Sequence, residues 1–317
     1  MRILILGAGA IGGYCGGRLI EGGTAEEVAF LVRPRRKAQL DRDGLRIESA
    51  AVGSFSAPAV QTLLAGEARP GWDVVLLTCK AYDLEESIET IRPVVDSRTA
   101  VLPLLNGISH IARLEEAFGP GRVLGGLAFL STTLTPEGIV RQLTPLNRIV
   151  FGELNGQLSE RTLKIKAVFG AAPLEVEAAD NVQSQMWEKL VGLGTLAAAT
   201  VLMRASLGEI VRAPGGTAWL ERLLDRGAAA AAAHGHPVRQ AILDGFMRPM
   251  LRDANSGLTA SMLRDLEAGG RIEADHVLGF LLEAVRHAGV PDDQHETAYL
   301  HAKAYENRRA TGRSETA

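Results

Sequence analysis

The sequence predicts an α/β protein, with an N-terminal doubly wound parallel sheet followed by an all-helical C-terminal domain. Three observations carry that expectation. The chain opens on a short apolar run that breaks into glycines, MRILILGAGAIGG. Apolar runs then alternate with helix-compatible stretches, as in open parallel sheets. From Asp180 the character changes to long alanine- and leucine-rich helical patterns.

The first strand is Ile3 to Leu6, and the glycines that follow read as a tight turn into a helix. Gly7 allows the turn, Gly9 lets backbone approach a pyrophosphate, and Gly12 lets the helix pack against the strand. The free N–H groups of a helix N-terminus suit phosphates. Gly7, Ala8, Gly9, Ala10, Ile11 and Gly12 are therefore the expected dinucleotide contacts, the alternative being a glycine-rich turn with no ligand. In the second strand, Val28 to Val32, no acid stands at the end to bond a ribose hydroxyl. Arg33 does, with Arg35, Arg36 and Lys37 behind it. A guanidinium there suits a 2′-phosphate, so the sequence favours NADP over NAD, against a solvated basic turn.

Further strands are expected at Asp73 to Thr78, Thr99 to Leu105 and RVLGGLAFL. GIVRQLT and RIVFGEL read as two β-segments with a turn at Pro145 and Asn147 between them. Ser159 to Phe169 reads as a helix and LEVEAA as a last edge strand. These patterns place a dinucleotide-binding domain at 1–178, a helical substrate domain at 179–307, and a polar, disordered tail at 308–317. The longest nearly apolar stretch, Leu190 to Met203, falls short of the ~20 residues of a bilayer span and reads as a buried helix.

Composition excludes several classes. The 317 residues suit two domains with separate cores. A net charge of -3 and 5% aromatics argue against a nucleic-acid partner. The two cysteines, Cys15 and Cys79, supply neither a disulfide framework nor a metal site. Reduced thiols and the lack of a signal-peptide pattern point to the cytoplasm, with no membrane partner.

Ligands of open α/β sheets lie beyond the carboxyl ends of the strands. Lys80 and Asn106 both stand just past an apolar strand. Lysine can meet a phosphate or carboxylate, and asparagine can donate and accept; a surface lysine and a turn asparagine are the plain alternatives. In the helical half, Lys189 sits where its helix turns apolar, on a face continuing through Leu193 and Ala197. Desolvation there would lower its pKa toward that of a general acid, although a lysine snorkelling from the end of an apolar helix would look the same. In GGRIEADHVLGFLLEAVRHAG, Glu273 falls at the edge of the apolar arc, with Asp275, Glu283 and Arg286 on the solvated side. Its first-turn place also suits the helix dipole.

GAGAIG, KAYD, NGI, WEKL, SML and IEADHVLGF follow one another in an order and spacing that resembles the ketopantoate reductase (2-dehydropantoate 2-reductase) family. The resemblance runs to about residue 307. It implies a Rossmann-type domain joined to a helical domain of the 6-phosphogluconate dehydrogenase type, with residues of both serving an NADPH-dependent reduction. By position it implies Lys189 as proton donor and Glu273 as its catalytic neighbour, contacting a substrate hydroxyl. Asn106 and Lys80 would serve cofactor and substrate, Ser261 the substrate carboxylate, and Arg33 the 2′-phosphate. The chain departs from the family pattern at Leu193, Ala197 and Leu258, where asparagines are usual, although Asn255 lies near the last. Lost amides weaken the case for a hydroxylated substrate.

The expected function is NADPH-dependent reduction of a small 2-oxo acid, with ketopantoate first. A more apolar 2-oxo acid is the alternative, as is a non-catalytic NADP-binding sensor. A 6-phosphogluconate-type dehydrogenase would need a serine-glycine-glycine loop near residue 120, where the chain has GPGRVLGG. The sequence leaves a homodimer open.

Overall fold

The computed structural model describes residues 1–312. The chain divides into two compact units, one of Met1–Leu105 with His110–Val182, the other of Asn106–Ser109 with the residues from Gln183 onward.

The first unit is α/β. It begins β1 (Arg2–Leu6), α1 (Ala10–Gly22), β2 (Glu27–Leu31), α2 (Pro34–Asp43), β3 (Leu45–Glu48), β4 (Phe55–Ala57) and β5 (Gln61–Leu63). It continues β6 (Val74–Leu77), α3 (Leu84–Ile91), β7 (Ala100–Pro103), α4 (His110–Phe118), β8 (Leu124–Leu134), β9 (Ile139–Glu153), α5 (Glu160–Phe169) and β10 (Glu175–Ala178). Five strands form a parallel sheet in the order β5-β2-β1-β6-β7. All four residues of β6 and of β7 are buried, as parallel strands covered on both faces require. Leu6 pairs with Leu31 and Leu77, Leu31 with Leu63, and Leu77 with Pro103, so all five carboxyl ends reach one edge of the sheet.

A second five-stranded sheet runs β10-β9-β3-β4, with β8 antiparallel to β9. Here the structure corrects the sequence expectation of two segments and a turn: β9 is one strand of 15 residues. The Pro145 region becomes an irregularity in the β8 pairing, between Leu130 and Thr132, instead of reversing the chain. Side chains hold it, since Gln142 Nε2 donates to the Leu146 carbonyl at 2.9 Å and Asn147 Nδ2 to the Pro173 carbonyl at 2.9 Å. The strands β3, β4 and β5 have only three or four residues each, too few for a periodic pattern.

The second unit is helical: α6 (Val182–Met203), α7 (Leu207–Arg212), α8 (Gly216–Ala233), the short α9 (Gln240–Ile242) and α10 (Arg248–Met250), α11 (Ser261–Glu267), α12 (Phe280–His287) and α13 (Asp293–Ala310). By length and composition α6 is the one helix among the described residues able to cross a membrane, yet 67% of its most apolar window is buried. Leu190, Val191, Ala198 and Val201 join the core of the unit, so α6 is its central packing element. Helix α13 continues to Ala310, past the start of the tail expected at 308. Arg309 Nε donates to the Gly269 carbonyl at 2.9 Å and holds the last turns down. Residues 313–317 of that expected tail lie outside the described part of the chain.

Candidate active site

In the first unit, a pocket of about 600 Å³ opens over the carboxyl ends of β1, β2 and β5. Gly7, Ala8 and Gly9 form its floor. Gly7 adopts φ +94°, a left-handed turn that a side chain would strain. A Cβ on Gly12 would fall 2.2 Å from the Gly7 carbonyl oxygen and 2.4 Å from Thr78 Oγ1, so only glycine lets α1 start this close to β1. A Cβ on Gly9 would meet nothing within 4 Å. That open space, beside a helix whose first backbone bond runs from Gly13 to Gly9, fits the pyrophosphate of a dinucleotide.

The pocket wall carries the charged groups. Arg33 is two-thirds exposed and donates to Glu86 at 2.6 Å and Asp83 at 3.3 Å. Arg36 is more enclosed; its Nε donates to the Ala8 carbonyl at 2.9 Å and its Nη1 to Gln39 at 2.6 Å. Lys37 turns away to Asp41 and Thr62, so the basic run divides its labour.

The second unit holds a separate cluster. Lys189, in the second turn of α6, donates from Nζ to Asn106 Oδ1 at 3.3 Å. Burial lowers the Lys189 pKa to about 8, while the negative charge of Glu273 acts to raise it. Glu273 is itself buried, 7% exposed. It precedes the helix rather than lying within its first turn: its carbonyl accepts from Val277 N–H at 3.2 Å, and a π-helical stretch, Asp275–Gly279, leads into α12.

Asn106 is fixed by its neighbours. Gly107, at φ +84°, comes so close to the His276 carbonyl that a Cβ would sit 2.6 Å away. Ser109 Oγ and His276 Nδ1 are 3.0 Å apart. The Asn106 loop is thus anchored to the segment that follows Glu273. Just before Lys189, the buried carboxylate of Glu188 takes two bonds from the Arg239 guanidinium, at 2.7 and 2.6 Å, which pins that stretch of α6.

Of the other expected site residues, Lys80 is half-buried and begins a single helical turn, Ala81–Asp83, beyond β6. Ser261 is the half-buried first residue of α11. Leu193 is half-buried one turn beyond Lys189, whereas Ala197 is packed into the core and Leu258 is 40% exposed.

Sequence reasoning missed the contribution of α3. Asp83 just before the helix and Glu86, Ser87 and Thr90 within it all line the pocket, at i, i+3, i+4 and i+7, a spacing readable in DLEESIET. It also missed Arg36 as a pocket residue and the Arg239–Glu188 brace, for which no local pattern exists.

Comparison with known proteins agrees with this architecture. The chain matches the family described as ketopantoate reductase PanE/ApbA over residues 3–156 and the C-terminal domain of that family over residues 181–306. It is 33% identical over 306 residues to the uncharacterized oxidoreductase YkpB of Bacillus subtilis, covering 96% of this chain and 99% of that one. It superposes on the crystal structure of 2-dehydropantoate 2-reductase from Methylococcus capsulatus with a TM-score of 0.86, at 27% identity and 98% coverage of both chains. The D-mandelate dehydrogenase solved with NADH and anilino(oxo)acetate shares the fold, with a TM-score of 0.84 at 20% identity, covering 98% of this chain and 99% of that one. With a glycine-lined pocket in its α/β unit and a half-buried lysine of lowered pKa in its helical unit, the chain belongs to the ketopantoate reductase PanE/ApbA family of oxidoreductases acting on CH–OH groups.

Proposed function

We propose that this protein reduces a 2-oxo acid to the 2-hydroxy acid with NADPH, the leading substrate being ketopantoate, whose reduction gives pantoate for pantothenate biosynthesis. One observation carries the reading: Lys189, with its pKa lowered to about 8, is bonded to Asn106 and coupled to the buried Glu273. The glycine turn and Arg33 would hold the nucleotide, which when bound supplies a hydride to the carbonyl carbon. The chain's own task is the other half of the addition. Lys189 donates a proton to the carbonyl oxygen as negative charge builds there, and a pKa near 8 keeps it protonated at neutral pH yet acidic enough to give the proton up. Asn106 orients the ammonium through its Oδ1. Glu273 would accept from a substrate hydroxyl, Ser261 would hold the carboxylate, and Lys80 would add positive charge beside the reacting groups.

A more apolar 2-oxo acid is the second reading, favoured by Leu193. That side chain is half-buried one turn from Lys189 and offers a substrate dispersion contact but no hydrogen bond. Following NADPH absorbance at 340 nm with a panel of 2-oxo acids tests both. Oxidation with ketopantoate supports the first, and preference for branched or aromatic 2-oxo acids supports the second. No oxidation with any of them, despite nucleotide binding, would overturn both in favour of a sensor.

A further inference from the structure

The charges lining the nucleotide pocket cancel. Its charged residues are Arg33 and Arg36 on one side, Asp83 and Glu86 on the other. Arg36 is engaged at the glycine turn through the Ala8 carbonyl. Arg33, the guanidinium at the end of β2, is shared between the two carboxylates. Asp83, just before α3, and Glu86, Ser87 and Thr90 on α3 are turned to the same space. A 2′-phosphate entering beside Arg33 must either draw that guanidinium away from Glu86 or keep two negative side chains next to its own charge. A 2′-hydroxyl meets neither penalty, and it can donate a hydrogen bond to a carboxylate.

We propose that Asp83 and Glu86 set the nucleotide preference of this pocket, holding Arg33 in a paired state and narrowing the margin by which NADPH is favoured over NADH. The proposal rests on the reading of the pocket as a dinucleotide site. Asp83 would contact the ribose edge directly, while Glu86 is a positioning residue that acts through Arg33. The mechanism is electrostatic competition for one guanidinium, so it affects the two nucleotides differently.

The test is the affinity of the full-length protein for NADPH and for NADH, each without substrate, from nicotinamide fluorescence at fixed ionic strength. Glu86→Gln is expected to raise the NADPH-to-NADH affinity ratio about fivefold, mainly through tighter NADPH, as loss of an exposed but paired charge allows. Asp83→Asn is expected to move the ratio in the same direction and serves if Glu86→Gln does not fold. A purely structural role would weaken both nucleotides alike. A ratio changed less than twofold, or moved toward NADH, while wild type binds both nucleotides, overturns the proposal alone. Failure of wild type to bind either nucleotide overturns the dinucleotide reading itself.

Discussion

Lys189 Nζ and Asn106 Oδ1 lie 3.3 Å apart although 83 positions separate them in the chain. The pairing joins a loop that leaves strand β7 to a turn of α6, and it orients an ammonium whose pKa burial has already lowered to about 8. If that ammonium is the proton donor, Lys189→Ala loses about 10²- to 10⁴-fold in turnover while nucleotide affinity stays within twofold. Steady-state rates at 340 nm and nucleotide titration measure the two quantities separately; unchanged turnover removes Lys189 from the mechanism.

The same group predicts a pH profile. If Lys189 is the proton donor, it must be protonated, so kcat/KM should be level below about pH 8 and fall about tenfold per unit above it. Glu273 acts to raise that pKa. In Glu273→Gln the alkaline limb should therefore move to lower pH, provided enough activity remains for a profile. A shift to higher pH would contradict the coupling.

Gly12 predicts a stability change. A methyl group there collides with backbone at 2.2 Å, and backbone cannot rotate aside as a side chain can. Gly12→Ala should destabilise the protein by about 2–3 kcal/mol, read as an earlier midpoint in urea unfolding. At Gly9, where a Cβ meets nothing, the same substitution should leave stability nearly unchanged and weaken nucleotide binding.

Buried His295 links stability to acid. It is 2% exposed, and burial, aided by the positive charge of Arg226, lowers its pKa to about 4 against the opposing pull of Asp293 and Asp292. The unfolded chain, with an ordinary histidine pKa near 6.5, binds this proton first as pH falls. Stability from this group is thus fully present above about pH 6.5 and declines toward pH 4, by up to about 3 kcal/mol. His295→Gln should flatten that part of the stability profile; an unchanged slope between pH 6.5 and 4 rules His295 out as its source.

Sequence alone determined the elements whose physics is local. The apolar run of β1 must be buried, the turn needs glycine at Gly7 and Gly12, and Lys189 stands where its helix becomes apolar. Each is readable within a few residues because the constraint acts within a few residues. Tertiary structure decided the rest. Only folding turned the segments around Pro145 into one strand, because partners on β8 and from Tyr14 to Pro173 complete its hydrogen bonding. Only folding paired Arg33 with Asp83 and Glu86, set Asn106 against Lys189, and braced Glu188 with Arg239. Charges pair by distance in space, and no local periodicity encodes which distant segment a guanidinium or an ammonium will meet.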